Sequence, residues 1–414
     1  MLASMQARLN NTYYGWWVVY ACLLIAILSW GLGMFGVSAY LHATHQATGL
    51  SIASLSSAIT LSFLLSACSQ IMVGNAIVNF GPRKVMTLGA CAFAAGIATI
   101  GWINHMWQAY IGFLLLGMGW ACLSTTAIST TLAPWFEKHQ GRAVSTAMLG
   151  ASVGGMIAVP ALLFGLSHMG RTTTMMVASL ICLAVMLPLA RFVLKTRPQD
   201  IGLLPDGLAP APHLTTRPPT LWTRAAAMRT WALWSVTLAF GMALCVQIGF
   251  LTHHVPLLIT ALGAPAAAAT VTGTALTAFG GRLLLARFSD RIDLRITTVA
   301  VLTVSALSLW TMGAFPYASV MVVGSLAYGL TIGNITTLGP IVVRREFGAA
   351  SFGRVYGVAA TGIQLFAALG PALYGMLYDR MGSYDLALIV AGALNLAAAI
   401  IILLGARAAR LLTR

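Results

Sequence analysis

The stretch A-L-T-A-F-G-G-R-L-L-L-A-R-F-S-D-R, from Ala275 to Arg291, decides how this chain is read. It belongs to an apolar segment of membrane length, yet Arg282 falls well inside it. A guanidinium at that depth costs about 2.5–3.5 kcal/mol on the translocon scale and more by simulation. Arginine stays protonated at any biological pH, so it cannot escape that cost by neutralising. A fixed cation there needs water, a counter-ion or an anionic ligand. No Asp or Glu lies deep in an apolar segment, which points to an anionic substrate. The competing reading is an arginine that snorkels to the interface or caps a helix end.

The surrounding sequence has the same membrane character. Of 414 residues, 59% are hydrophobic and only 7% charged, against about 25% charged in a soluble domain. A helix crossing the hydrocarbon needs roughly 20 residues. Twelve segments qualify, near 15–40, 52–78, 84–104, 107–134, 142–167, 172–194, 230–254, 266–288, 296–315, 317–343, 353–378 and 384–405. The first runs past signal-peptide length and is expected to stay as a spanning helix. The expected fold is an all-α membrane protein of twelve transmembrane helices, because an open sheet would leave backbone groups unpaired in lipid.

Charge placement gives the orientation. The net charge is +15, which in a soluble protein would suggest nucleic acid. Here, with Arg282 set apart, 20 Lys and Arg fall on one side of the spans and only Arg171 and Arg380 on the other. By the positive-inside rule both termini are expected in the cytoplasm, and no nucleic-acid partner is implied. The six cysteines all lie in apolar stretches with no C-x-x-C. They read as small core residues rather than a disulfide framework or a zinc site.

The two halves echo each other. G-N-A-I-V-N-F-G-P-R-K (Gly74 to Lys84) follows the second span, and A-R-F-S-D-R-I-D-L-R (Ala286 to Arg295) follows the eighth. Asn79 aligns with Asp290, Arg142 with Arg354, Pro160 with Pro371 and Gly170 with Gly382, all on nearly one offset. Parallel six-helix repeats around a midplane site are a transporter architecture. The long Pro-rich connection from Lys195 to Thr220 reads as a cytoplasmic linker. The expected units are a first six-helix bundle at 1–194, a linker at 195–229 and a second bundle at 230–414.

These residues resemble the major facilitator superfamily, whose loop signature looks like the element at Gly74 to Lys84. Within it, several segments are similar to the bacterial monocarboxylate and oxalate–formate transporter group. They are Y-Y-G-W-W-V-V at Tyr13, A-P-W-F at Ala133, G-A-S-V-G-G at Gly150 and R-P-Q-D-I-G-L-L-P-D-G at Arg197. H-H-V-P at His253, G-R-x-x-x-A-R-x-S-D-R at Gly281 and G-P-A-L-Y-G-M-L-Y-D-R-M-G-S-Y at Gly370 complete the set. The resemblance implies two pseudo-symmetric bundles that carry small carboxylates as a symporter or exchanger in a bacterial inner membrane. It also implies that Arg282 is the eighth-helix arginine that meets the substrate carboxylate. The chain departs from the pattern at Asn79, where the loop signature usually has Asp. It departs again at Ala278, where animal relatives place an Asp, and in a first span without their lysine.

Eight helical residues separate Arg282 from Asp290, or about 12 Å, close to the midplane at about 15 Å. A bidentate guanidinium–carboxylate pair fits a small acid. Tyr328, Asn334, Gln364, Trp120 and Gln247 lie at comparable depth and are the other candidates for contacting substrate. Each alone is better explained by helix packing or an interhelical hydrogen bond. His253 and His254 are candidates for proton coupling. Asn79, Arg83, Asp290 and Arg291 are candidate gating residues. No carboxylate pair, Ser–His–Asp grouping or metal-spaced His/Cys set appears, so no enzyme activity, metal or cofactor is expected. The expected partners are a small carboxylate anion, a proton and membrane lipid, with the protein a monomer. Obligate anion exchange, and transport of a dicarboxylate or drug-like solute, remain open. A membrane sensor is expected to carry a soluble output domain, which this sequence does not show.

Overall fold

Backbone groups in hydrocarbon have no water to bond, so apolar segments close their hydrogen bonds within helices. The computed structural model describes residues 13–136, 139–207, 222–288, 293–348 and 351–412, and among them are fifteen α-helices and no strand. The first six spans are α1 (Tyr14–Trp30) with a π-helical turn at Gly31–Phe35 and α2 (Val37–Thr48), then α3 (Ile52–Phe80), α4 (Pro82–Ile100), α5 (Met106–Leu123) with α6 (Thr125–Leu132), and α7 (Gln140–Pro188), which holds two spans. After the short α8 (Arg224–Met228), the last six are α9 (Trp231–Leu262), α10 (Ala264–Phe288), α11 (Leu294–Ala314), α12 (Ala318–Phe347), α13 (Phe352–Ala368) with α14 (Gly370–Met381), and α15 (Asp385–Leu412).

Ten stretches among the described residues are long and apolar enough to cross a membrane. The 52-residue stretch Arg142–Val193 counts as two, because it breaks at Gly170 (φ 74°, ψ 172°). Its repeat partner Gly382 also takes a positive φ, 70°, a region open to glycine because it has no Cβ. The twelfth span is α10, whose threonines, glycines and Arg282 dilute its apolar character. The protein is therefore an all-helical, twelve-span membrane protein. Leu88, Val323 and Phe164 are more than 60% exposed, as expected of a surface that lipid covers.

The duplication is visible in the packing. Span one packs on five and seven on eleven; two on four and eight on ten; three on six and nine on twelve. Small residues permit the contacts. A Cβ on Gly154 would strike the carbonyl of Ile27, and one on Gly281 would strike that of Leu330. Three span boundaries differ from the expected continuous helices. The first span loosens into the π-helical turn, the fourth breaks at extended Ser124, and the eleventh breaks between Ala368 and Gly370. Pro160 sits within α7 without disturbing its backbone, so only one of the two aligned prolines marks a break. Cys68 and Cys91 correct the reading of all six cysteines as core residues: both are exposed.

Two of the motifs meet at one end. Tyr13 donates its hydroxyl to the Trp135 carbonyl (2.9 Å), the Tyr14 ring lies 5.5 Å from that of Trp135, and the Trp16 ring lies 5.3 Å from that of Phe136. The Arg142 guanidinium covers the Trp16 ring at 5.3 Å. The described parts of the connection dock here too. Asp206 N–H donates to the Trp135 carbonyl (3.0 Å), and Trp222 N–H donates to Ser351 Oγ (2.8 Å). We call this the linker end, and the end carrying Gly49, Gly170, Gly263 and Gly382 the far end.

Candidate functional site

The site is built on the crossing of α7 and α10, one helix from each half. Gly281 lets α10 approach α12 so closely that the stem of Arg282 lies on Gly333. A Cβ added to Gly333 would sit 3.1 Å from Arg282 Nε and 2.8 Å from the Ala278 carbonyl. The guanidinium then points across the interface between halves. Arg282 Nη1 donates to Ser152 Oγ on α7 at 2.9 Å, and Ser152 is itself buried. Arg282 Nε is buried and makes no hydrogen bond. Among the described residues the one ion pair is Arg295–Glu346, so no described carboxylate neutralises Arg282. The guanidinium turns to Ser152 of the other half, so this arginine is not one that snorkels out to the interface.

The other sequence candidates lie on helices of both halves. Asn334 follows Gly333 on α12; its amide nitrogen donates to the Leu330 carbonyl (3.0 Å), and its side-chain oxygen is buried without a partner. Gln364 is half-buried on α13. Tyr328 is fully buried against Phe250, ring centres 4.4 Å apart, inside the second half. Trp120 packs on Trp30 at 4.6 Å inside the first half. Gln247 is buried on α9 with Oε1 unpaired. Among the described residues, no hydrogen bond joins these five to Arg282.

The gating candidates at the linker end are less informative. Asn79 is exposed at the end of α3 and Arg83 half-exposed on α4; Asp290 and Arg291 lie outside the described residues. The polar contacts between halves sit elsewhere. Ala53 N–H, in the first turn of α3, donates to Asp379 Oδ2 (3.2 Å), and Ala372 N–H donates to Thr60 Oγ1 (3.0 Å). His253 Nε2 lies 3.2 Å from Ser56 Oγ and 3.1 Å from the Pro371 carbonyl, while Nδ1 lies 3.1 Å from the Tyr384 hydroxyl. The carbonyl can only accept, so Nε2 carries the proton. His254 instead stays within the second half, 3.2 Å from Ser325 Oγ. These hydrogen bonds between halves lie at the level of Arg282 and at the far end, and the structure is closed there.

Sequence reasoning missed Ser152 and the Ser56–Thr60–Asp379 set. A serine framed by glycines in G-A-S-V-G-G was the available signal for Ser152. The Ser and Thr of α3 carry none, since such hydroxyls commonly bond to their own helix. Asp379 at the start of α3 is a carboxylate at a helix N-terminus, worth ~0.3–1 kcal/mol. In a background cleared of the six native cysteines, Asp379→Asn is expected to raise maleimide labelling of Ser56→Cys about two- to five-fold. Unchanged labelling would show that far-end closure does not depend on this cap.

Comparison with known proteins agrees with this architecture. The Major Facilitator Superfamily profile matches residues 19–310 and 255–412. Monocarboxylate transporter 11 of Homo sapiens is 26% identical over 410 residues, covering 94% of this chain and 82% of that protein. The oxalate:formate antiporter of Oxalobacter formigenes is 26% identical over 187 residues, 45% of this chain and 43% of its own. Among solved structures, a bacterial homologue of the human lysosomal transporter Spinster, inward-facing and unoccupied, superposes with a TM-score of 0.67 at 16% identity, covering 98% of each chain. Its occupied inward-facing form gives the same values. With two matching six-span halves, a charged crossing between them and a family profile spanning nearly the whole length, the chain is a secondary transporter, not an enzyme, and belongs to the Major Facilitator Superfamily.

Proposed function

We propose that this transporter moves a small monocarboxylate by alternating access, coupled to a proton, across a bacterial inner membrane with the linker end in the cytoplasm. The observation that carries the reading is Arg282, a permanent cation at the crossing of the halves with an unused Nε–H and no described carboxylate beside it. Nε and one Nη form the fork that grips a carboxylate bidentately. The names of two relatives, a monocarboxylate transporter and an oxalate:formate antiporter, support the same substrate class.

In this mechanism the anion enters from the linker end, opposite the far-end contacts that join the halves. Its carboxylate discharges Arg282, which lowers the cost of drying the site. The halves then rock about the α7–α10 crossing, and the far-end contacts of Asp379, Thr60 and His253 open. Asn334, Gln364 and Gln247 are the candidates left to shape the cavity walls, while Tyr328 and Trp120 back them from inside their own halves; His253, which must give up its bond to Ser56 on opening, is the proton-coupling group of choice, with His254 beside it. Asn79, Arg83, Asp290 and Arg291 form the gate at the linker end in the opposite state. The bundles at 1–194 and 230–414 move as bodies within a monomer.

Proteoliposome uptake tests the reading. Labelled L-lactate, pyruvate, formate and oxalate are offered with and without an inward proton gradient. A monocarboxylate that accumulates only with the gradient is the expected result. Uptake confined to anion-loaded vesicles would replace symport by exchange, and no transport of any of the four would overturn the substrate class.

A further inference from the structure

Ser152 has no role in the reading above, yet it is the one protein group bonded to the Arg282 guanidinium among the described residues. It lies on α7 in the first half and Arg282 on α10 in the second, so the bond spans the interface that must rearrange. We propose that Ser152 is the resident partner of Arg282 in the empty carrier, and that it sets whether the transporter can return without cargo. This rests on the carboxylate reading of Arg282.

The argument is electrostatic. A loaded carrier crosses its occluded state with the guanidinium neutralised by the carboxylate. An empty carrier must cross it with a bare cation in a drying site, which is strongly disfavoured. The Ser152 hydroxyl is an acceptor held in place by the helix crossing. Its Oγ is buried and bonded at 2.9 Å, so it is already desolvated and does not need to be dried again. A charge-assisted hydrogen bond of this kind favours the bonded state by about tenfold or more. It bonds Nη1 only and leaves Nε–H free, so an arriving carboxylate gains the fork by displacing a single neutral contact. Ser152 is therefore a placeholder: strong enough to permit empty return, weak enough to yield to substrate. The close approach of Gly150 and Gly154 to α1, each with a backbone carbonyl where a Cβ would be, fixes the rotation of α7 and so the position of Ser152.

The test separates net flux from exchange. Proteoliposomes carrying wild type, Ser152→Ala or Ser152→Thr are assayed with labelled L-lactate, pyruvate, formate and oxalate, for net uptake into empty vesicles and for exchange into vesicles preloaded with the same acid. Ser152→Ala is expected to lower net uptake about tenfold while exchange stays within about twofold, and Ser152→Thr, which keeps the hydroxyl, restores net uptake. A structural role would depress both modes together. Equal loss in both modes, or no loss in either, overturns the placeholder role while leaving the carboxylate reading intact. A wild-type protein that moves none of the four acids in either mode overturns that reading and the placeholder role with it.

Discussion

Arg282→Lys and Arg282→Ala are each expected to lower carboxylate transport by about 100-fold or more, while the protein still inserts and folds. Two charge-assisted hydrogen bonds of ~1.5–3 kcal/mol each are lost in the alanine variant, which is enough for that factor. Lysine keeps the charge but not the planar fork. Its ammonium also sits at the end of an unbranched stem, so it cannot reproduce the Nε position held against Gly333. The stability readout runs the other way. Arg282→Ala removes a cation whose placement costs about 2.5–3.5 kcal/mol and, among the described residues, breaks one bond, to Ser152. The melting temperature in detergent is therefore expected to hold or rise while transport disappears. That opposition is the mark of a residue kept for function at the expense of stability. Uptake at the wild-type rate by either variant would end the assignment, as would a large fall in melting temperature with proportionate loss of folded protein.

Much of this was legible in the sequence because the membrane imposes simple rules. Spans of about 20 apolar residues must be helices, and Arg282 announces itself by being charged where nothing else is. The repeat could be seen in Gly170 and Gly382, since a positive φ ties the residue type to one backbone shape. What was not legible depends on partners in other spans. Pro160 and Pro371 align in the repeat, yet only the eleventh span breaks. There the Ala372 N–H is taken by Thr60 of the other half, and a Cβ on Gly370 would run into the Cys245 carbonyl. Proline alone does not decide between a tolerated residue and a break; the neighbours that rescue the freed backbone do. Tyr328 illustrates the same limit. Its depth matched Arg282, but the face of α12 that carries it turns toward Phe250, not toward the crossing.

Arg295 is the residue whose reading changed most, and it gives the largest stability prediction. In the sequence it is one of many cations that follow a span on the positive side. In the structure it is 5% exposed, and every one of its five N–H donors is used. Nε donates to Glu346 Oε1 (2.6 Å) and Nη2 to Oε2 (2.9 Å), Nη1 reaches Ser235 Oγ (3.1 Å) and the Ile402 carbonyl (2.8 Å), and Nη2 also reaches the Ala232 carbonyl (3.3 Å). Spans seven, nine, ten and twelve meet at this one side chain. Glu346→Ala leaves a buried guanidinium without its counter-charge, which is destabilising by ~3–5 kcal/mol. It is expected to lower the melting temperature in detergent and the yield of folded protein far more than any change at Arg282. Replacing both partners, Arg295→Met with Glu346→Leu, removes the unpaired charge and is expected to recover most of the loss, because a buried pair and an apolar pair of similar volume are nearly equivalent. Equal destabilisation by the single and double variants would mean that packing volume, not charge pairing, holds this corner. The same chain thus buries two arginines under opposite rules: one saturated by its own protein and therefore structural, the other left with a donor to spare and therefore open to a ligand.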